Sequence, residues 1–429
     1  MDATWGIWLV MFATMALRVP LVASIGFASL VALLATNTPL VMMPQSIYQG
    51  TDIYPLMAIP CFILAGVLMD IGGITEDIVD VMYEFVGRMR GGMGITTILA
   101  CAFFAAISGS GPATAAAIGS LMIPAMTKKG YSLEYAGGVS ATGGTLGILI
   151  PPSNPMIIYA VIANVSVGAL FMAGFMPGFI VTFAYGLTAY YIANNDPRFK
   201  SLEGFSLRSL AHKLRKGFWS LMAPVAILGG IYGGIFTPVE AATFSVVYAL
   251  LVGAFIKKKL TFSGTLKSIY NSNLVVGSIL VLVGSSMIFS RFLTVFRVPD
   301  ALANMLLGFS DNWFVILMLI VLVLLFLGMF ADTTCILIIM TPIFLPVLQK
   351  VGVNPIHFGI IFVVACEMAF LTPPYGVNLF VISSMTRLSI EKVARAALPY
   401  MLILLIAIVL LAYFPDVSLF LPRLTGMMK

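Results

Sequence analysis

Two short clusters carry the residue types that could do chemistry in this chain. Ser108-Gly109-Ser110-Gly111-Pro112 interrupts an apolar run whose arms, residues 95–107 and 113–126, hold no charge. Gly328-Met329-Phe330-Ala331-Asp332-Thr333-Thr334 interrupts a second apolar run, 312–348, and adds a carboxylate. Two proline-rich stretches accompany them, Pro151-Pro152-Ser153-Asn154-Pro155 and Thr372-Pro373-Pro374-Tyr375-Gly376. Tandem prolines remove backbone donors and clash with the preceding turn. Inside a membrane the freed carbonyls must find another partner, such as a cation. Ser108, Ser110, Thr114, Ser153 and Asn154 thus form one candidate set, and Asp332, Thr333, Thr334, Thr372 and Asn378 the other. Their hydroxyls, amides and freed carbonyls suit a hard cation such as Na⁺. Half-helix N-termini beside them suit an anionic substrate group. Ser and Gly also permit close helix packing with no further role.

Single titratable residues read less clearly. Asp332 could ligate a cation, carry a proton or cap the second arm of its hairpin. Glu367, in the apolar run 362–371, could pair with a hydroxyl or a basic residue, or join a proton relay. Glu240 follows Thr237-Pro238 and fits a first-turn helix cap. His212 falls in a basic stretch and reads as solvated; His357 opens an apolar run and reads as interfacial. Neither has a metal-ligand partner at a suitable spacing, and no Ser–His dyad is buried. Cys61, Cys101, Cys335 and Cys366 lie in apolar runs as small core residues, not as a disulfide framework. No Walker A sequence is present, and no enzyme motif survives.

The elements that must position these clusters are membrane helices. The chain has 429 residues, 60% hydrophobic and 9% charged, with mean hydropathy +1.07. Soluble domains carry about 25% charge. Strand alternation is absent, which argues against an outer-membrane barrel. The expected class is an all-α polytopic membrane protein. A spanning helix needs about 20 residues, and each arm around Ser108–Pro112 offers about 14. The arms therefore read as a re-entrant hairpin, residues 93–128, and residues 312–349 as a second. Residues 133–165 and 356–386 read as helices broken at their prolines. Residues 4–17, 19–35, 54–69, 170–192, 218–236, 239–256, 274–292 and 396–414 supply the other apolar segments. Residues 36–53 read as a polar linker. Residues 76–90 read as an amphipathic helix on the membrane surface, with Asp77, Asp80, Glu84 and Arg88 outward; residues 298–309 read as another surface helix. No signal peptide of the usual form opens the chain.

The two halves align at one offset of 222 residues. Pro124 falls on Pro346, Gly130 on Gly352, Pro151-Pro152 on Pro373-Pro374 and Pro177 on Pro399. The halves are residues 1–195 and 217–429, separated by a basic linker, 196–216. Five crossings and one hairpin per half make the repeat inverted, as in secondary transporters. With the N-terminus outside, 18 of the 23 basic residues fall on the cytoplasmic face. The positive-inside rule thus sets both termini outside. Those loops also account for the net charge of +6 without a nucleic-acid partner.

Four stretches resemble the large membrane (M) subunit of tripartite ATP-independent periplasmic (TRAP) transporters. They are Ser108-Gly109-Ser110-Gly111-Pro112-Ala113-Thr114-Ala115-Ala116, Ile150-Pro151-Pro152-Ser153, Gly234-Ile235-Phe236-Thr237-Pro238-Val239-Glu240-Ala241-Ala242 and Leu371-Thr372-Pro373-Pro374-Tyr375-Gly376. The resemblance covers essentially the whole chain. It implies a Na⁺-driven importer of organic acids, often C4-dicarboxylates or sialic acid, in the bacterial inner membrane. It implies a small four-helix membrane partner (Q), here a separate polypeptide, and a soluble periplasmic binding protein (P). It implies an elevator in which hairpins and broken helices move against a scaffold, with Na⁺ as coupling ion and no cofactor. Carried onto this chain, one sodium site draws on Ser108, Gly109, Ser110, Gly111, Ser153 and Asn154. The other draws on Gly328, Asp332, Thr333, Thr334, Thr372 and Gly376. Substrate contacts fall to Ser110, Thr114, Asn154, Thr334 and Asn378. The rival readings are a stand-alone dicarboxylate/sodium symporter and a channel.

Overall fold

The computed structural model describes residues 3–17, 19–194 and 206–428. Every regular element among them is helical, as expected where water cannot satisfy backbone groups. Seven helices are long and apolar enough to cross a membrane: Tyr54–Ile71, Leu133–Ala163, Val167–Ala193, Pro238–Ile256, Phe262–Val295, Thr333–Lys350 and Ile390–Tyr413. Ten crossings were expected. Leu21–Ala35 and Phe218–Tyr232 fall short at 15 residues each. The first is bounded by Pro20 and a turn at Thr36, the second by a turn at Gly233-Gly234.

The first cluster lies between helices Gly92–Ser108 and Gly111–Lys128, the second between Trp313–Gly328 and Thr333–Lys350. These arms have 17, 18, 16 and 18 residues, longer than the uncharged runs. The first hairpin gains length because Gly92-Met93-Gly94 and Thr127-Lys128 continue its helices. Leu133–Leu149 ends at the first proline pair and resumes as Asn154–Ala163; Pro355–Leu371 ends at the second and resumes as Val377–Thr386. At an offset of 222, Gly111–Lys128 superposes in sequence on Thr333–Lys350, and Leu133–Leu149 on Pro355–Leu371, end for end.

The halves interlock. Asn154–Ala163 packs on Thr333–Lys350, and Val377–Thr386 packs on Gly111–Lys128 and Leu133–Leu149. The Tyr159 hydroxyl donates to the Pro355 carbonyl at 2.6 Å across that junction. The first broken helix is buried at every position from Tyr135 to Leu149, so the core sits on the broken helices. At the periphery, Phe262–Val295 turns Leu274, Val275 and Val281 outward, the apolar face that lipid or a membrane partner accepts.

Four expectations change. Residues 36–53 are not a plain linker: Met42–Thr51 is a helix packed on Phe262–Val295, where Gly50 and Gly284 permit close approach. The amphipathic helix, Ile74–Val86, buries two of its acids and pairs all four. Asp77 and Glu84 are buried; Asp77 pairs with Lys257 and accepts from Ser220, and Glu84 pairs with Arg88 at 2.7 Å. Asp80 meets Lys213 at 2.5 Å, and Glu76 meets Lys259. The chain returns basic segments over the acidic face. Residues 274–292 belong to a helix of 34 residues, Phe262–Val295. Finally, an unforeseen helix, Asp416–Leu424, covers His357. That imidazole is 2% exposed and shares a 2.7 Å hydrogen bond with Ser418 Oγ, so it is buried, not interfacial. Of the linker 196–216, residues 196–205 lie outside the described residues; Leu207–Lys216 is a helix, and His212 is exposed on it.

Candidate functional site

The first tip is a tight turn held by its own hydroxyls and backbone. Gly109 adopts φ +60°, a left-handed conformation that L side chains resist. A Cβ there would lie 2.9 Å from the Pro152 carbonyl oxygen. Ser110 is extended and precedes the helix opened by Gly111 and Pro112. Ser108 Oγ and Thr114 Oγ1 stand 2.8 Å apart, and Thr114 Oγ1 donates to the Ser110 carbonyl at 2.8 Å. The break comes directly to this turn: the Asn154 amide donates to the Gly109 carbonyl at 3.1 Å. Ser153 caps the resumed helix through Met156 N at 3.4 Å. Asn154 Oδ1 is buried and has no hydrogen-bond partner.

The second tip repeats the connection with different chemistry. The Tyr375 amide, in the second break, donates to the Met329 carbonyl of the tip at 3.2 Å. Asp332 caps Thr333–Lys350, its Oδ2 accepting from Thr334 N at 2.9 Å. Thr333 Oγ1 is buried without a partner. Thr372 Oγ1 is occupied by the Met368 carbonyl at 2.7 Å, which leaves its backbone as the available group. Gly376 donates to the Thr372 carbonyl at 3.1 Å and opens the resumed helix at φ +23°. Gly328 lies against Ala369, where a Cβ would come within 2.4 Å.

The two sets differ in exposure. Ser108, Thr114, Ser153 and Asn154 are all buried, whereas Asp332 and Thr334 are half-buried and Tyr375 is 45% exposed. Asn378 joins the sets. Its Nδ2 donates to the Ala141 carbonyl of the first broken helix at 3.1 Å, and its Oδ1 is buried and unpartnered. Three orphaned oxygens, on Asn154, Thr333 and Asn378, therefore lie at the ends of the broken and paired helices. Buried polar atoms without a partner are rare in native proteins and call for a water or an ion. Among the described residues no group of three His, Cys, Asp or Glu side chains could hold a transition metal, so the donors are neutral oxygens and Asp332.

Three contributors were missed in the sequence. Gly144 and Gly147 admit neighbours: a Cβ on Gly144 would stand 2.9 Å from Asn378 Nδ2, and one on Gly147 would stand 2.4 Å from the Ser110 carbonyl. Phe370 lays its ring on Gly111, tying the second broken helix to the first tip. The spacing of small residues was visible; the partner from the other half was not. Glu240 is the cap expected of it, in a capping box with Thr237.

The model of the family "Tripartite ATP-independent periplasmic transporter, DctM component" matches residues 8–417. This chain belongs to the DctM family. The isethionate TRAP transporter permease protein DctMQ of Oleidesulfovibrio alaskensis is 38% identical over 94% of this chain and 64% of its own length. The chain thus spans just under two thirds of that relative. The C4-dicarboxylate TRAP transporter large permease protein DctM of Pseudomonas aeruginosa is 38% identical over 89% of each. The sialic acid TRAP transporter large permease protein SiaM of Vibrio cholerae is 37% identical over 94% of this chain and 95% of its own. Among solved structures, the Alcanivorax borkumensis YdaH transporter superposes with a TM-score of 0.63 at 15% identity, over 87% of each chain. That likeness is one of fold. These relatives are permeases, not enzymes.

Proposed function

We propose that this chain is the large permease subunit of a secondary active importer that takes up a small organic acid with Na⁺. The family match over residues 8–417 carries the reading. The site supports it by supplying two tip-and-break units of oxygen donors, each joined by one backbone hydrogen bond. Residues 1–195 and 217–429 act as inverted repeats, with the hairpins re-entrant and the termini periplasmic. Each tip serves one Na⁺ site: Ser108–Gly111 with Ser153 and Asn154, and Gly328–Thr334 with Thr372 and Gly376. Ser110, Thr114, Asn154, Thr334 and Asn378 face the substrate. Hairpins and broken helices move together past the outer helices as an elevator, in the bacterial inner membrane. A small membrane subunit and a periplasmic binding protein complete the system.

The substrate class stays broad. The relatives' names cover a C4-dicarboxylate, sialic acid and isethionate. No Lys or Arg stands among the candidate contacts, so the anion would meet hydroxyls, amides and helix N-termini. Reconstitution with the partner subunits in vesicles under an imposed Na⁺ gradient tests the reading. Uptake of a labelled organic acid that collapses when the gradient is removed supports it. Gradient-independent or non-saturating flux overturns it.

A further inference from the structure

Glu367 is fully buried, and neither of its carboxyl oxygens has a hydrogen-bond partner. It lies one turn before the second break, on the helix turn that also carries Ala369 against Gly328 and Phe370 against Gly111. Among the described residues no neighbouring helix brings it a cation. Trp313–Gly328 and Val377–Thr386 contain no titratable side chain. Asn154–Ala163 brings Tyr159, whose hydroxyl is taken by Pro355. Thr333–Lys350 brings Cys335 and, at its far end, Lys350, which pairs with Asp300. Asp416–Leu424 brings Asp416 and Arg423, paired with each other. Leu133–Leu149 brings Glu134 and Tyr135 at its start; Ile390–Tyr413 brings Tyr400 mid-helix, with Glu391, Lys392 and Arg395 at one end and Tyr413 at the other. Val167–Asn194 brings Tyr185, with Tyr190 and Tyr191 towards its end. On its own helix stand Cys366 and, ten residues back, His357. Val167–Asn194, which carries Tyr185, packs directly on the helix that carries Glu367.

An unpaired carboxylate in such a place is costly, and acids kept inside membrane helices commonly carry protons. The residues around Glu367 also lead somewhere. The Tyr185 hydroxyl lies 3.5 Å from Thr145 Oγ1, and its ring meets Tyr400 edge-on with centroids 5.7 Å apart. The Tyr400 hydroxyl is buried and lies beside the hydroxyl of Tyr135. Tyr135 stacks on Tyr131 at 5.8 Å, and Tyr131 adjoins the Lys128-Lys129-Gly130 turn at the molecular surface. Tyr185, Tyr400, Tyr135 and Tyr131 thus form a line of neighbouring rings that ends at that turn, with the Tyr135 hydroxyl donating to the Ala189 carbonyl at 3.4 Å.

We propose that Glu367 is a proton-binding site of this chain, reached from the face that carries Lys128 and Lys129 through Tyr185, Tyr400, Tyr135 and Tyr131. The proton leaves the carboxyl for the phenol file, each phenol passing one on as it accepts one, and water at that face takes the last. Loss of the proton leaves a charge on the turn that seats Ala369 and Phe370, and so disturbs both tips. That consequence rests on the sodium reading of the tips; the protonation itself does not.

Infrared spectroscopy of the purified chain in lipid tests the site without transport. Wild-type protein at neutral pH should show the carbonyl stretch of a protonated, desolvated carboxylic acid. The band should shift on ¹³C-glutamate labelling and disappear in E367Q. In D₂O it should deuterate more slowly in Y400F than in wild type. Absence of a labelled-glutamate band at neutral pH, or its survival in E367Q, overturns the site, and the labelling arm decides even if E367Q fails to insert. Equal deuteration rates in Y400F and wild type overturn the route. Failure of Na⁺-driven uptake leaves these readouts unaffected, so the two readings fail separately.

Discussion

The Asn154 amide donates to the Gly109 carbonyl at 3.1 Å, so the first hairpin tip is fastened to the break in the neighbouring helix by one backbone bond. Tyr375 and Met329 repeat the bond in the other half at 3.2 Å. Each tip is thus joined directly to the break of its own half.

Gly109→Ala tests that coupling. At φ +60° an Ala costs about 1–2 kcal/mol, and its Cβ would sit 2.9 Å from the Pro152 carbonyl. The tip must shift away from the break. Na⁺-dependent uptake should fall to background while membrane insertion stays intact, read by uptake in vesicles against protein level. Uptake at wild-type level would show that the tip does not need this closeness.

Asp332 has two separable roles. Its carboxylate caps a helix, and its charge distinguishes the second tip from the first. D332N retains an acceptor for Thr334 N and removes the charge; D332A removes both. Losing the cap costs about 1 kcal/mol, so D332A should lower the melting midpoint in detergent and D332N should not. Both should lose Na⁺-dependent uptake. Retained Na⁺ dependence in D332N reduces Asp332 to a cap.

Much of this arrangement was legible because membrane insertion leaves strong marks. Proline pairs must interrupt helices, and the shared offset sets the second hairpin, 312–349, and the second broken helix, 356–386, against their first-half counterparts. What could not be read was lateral. Nothing along the chain says that Asn378 reaches Ala141, or that Phe370 covers Gly111. Local periodicity also misplaced the acids of Ile74–Val86. The pattern shows a polar face, but whether water or the lysines of a distant segment meet it is a tertiary fact. His357 failed for the same reason, its cover arriving from Asp416–Leu424.

That clamp makes its own prediction. The side chains of Asp77 and Lys257 are only 8% and 12% exposed, and Ser220 adds a hydrogen bond. Removing one partner of a buried pair strands the other and typically costs about 3–5 kcal/mol. D77N should therefore lower the thermal midpoint strongly. The double variant D77N/K257M should recover much of the loss, because no charge is left stranded. R423Q, which breaks the exposed Asp416–Arg423 pair, should leave the midpoint unchanged. Additive losses in the double variant would show that the pair is not coupled.

The contact between Phe370 and Gly111 offers the sharpest test of how the halves meet. An added Cβ at position 111 would stand 2.7 Å from the Phe370 ring and 3.3 Å from the Gly144 carbonyl. G111A should therefore displace either the first tip or the second broken helix, and uptake should drop. Phe370→Leu shortens the obstructing side chain and, alone, should cost on the order of 1 kcal/mol for the small cavity it leaves. In G111A/F370L the clash is relieved, so uptake should return part-way to the F370L level. Residues in contact couple non-additively, and those that are not in contact do not. Strictly additive effects on uptake and on the melting midpoint would place Phe370 away from the tip and separate the two half-sites.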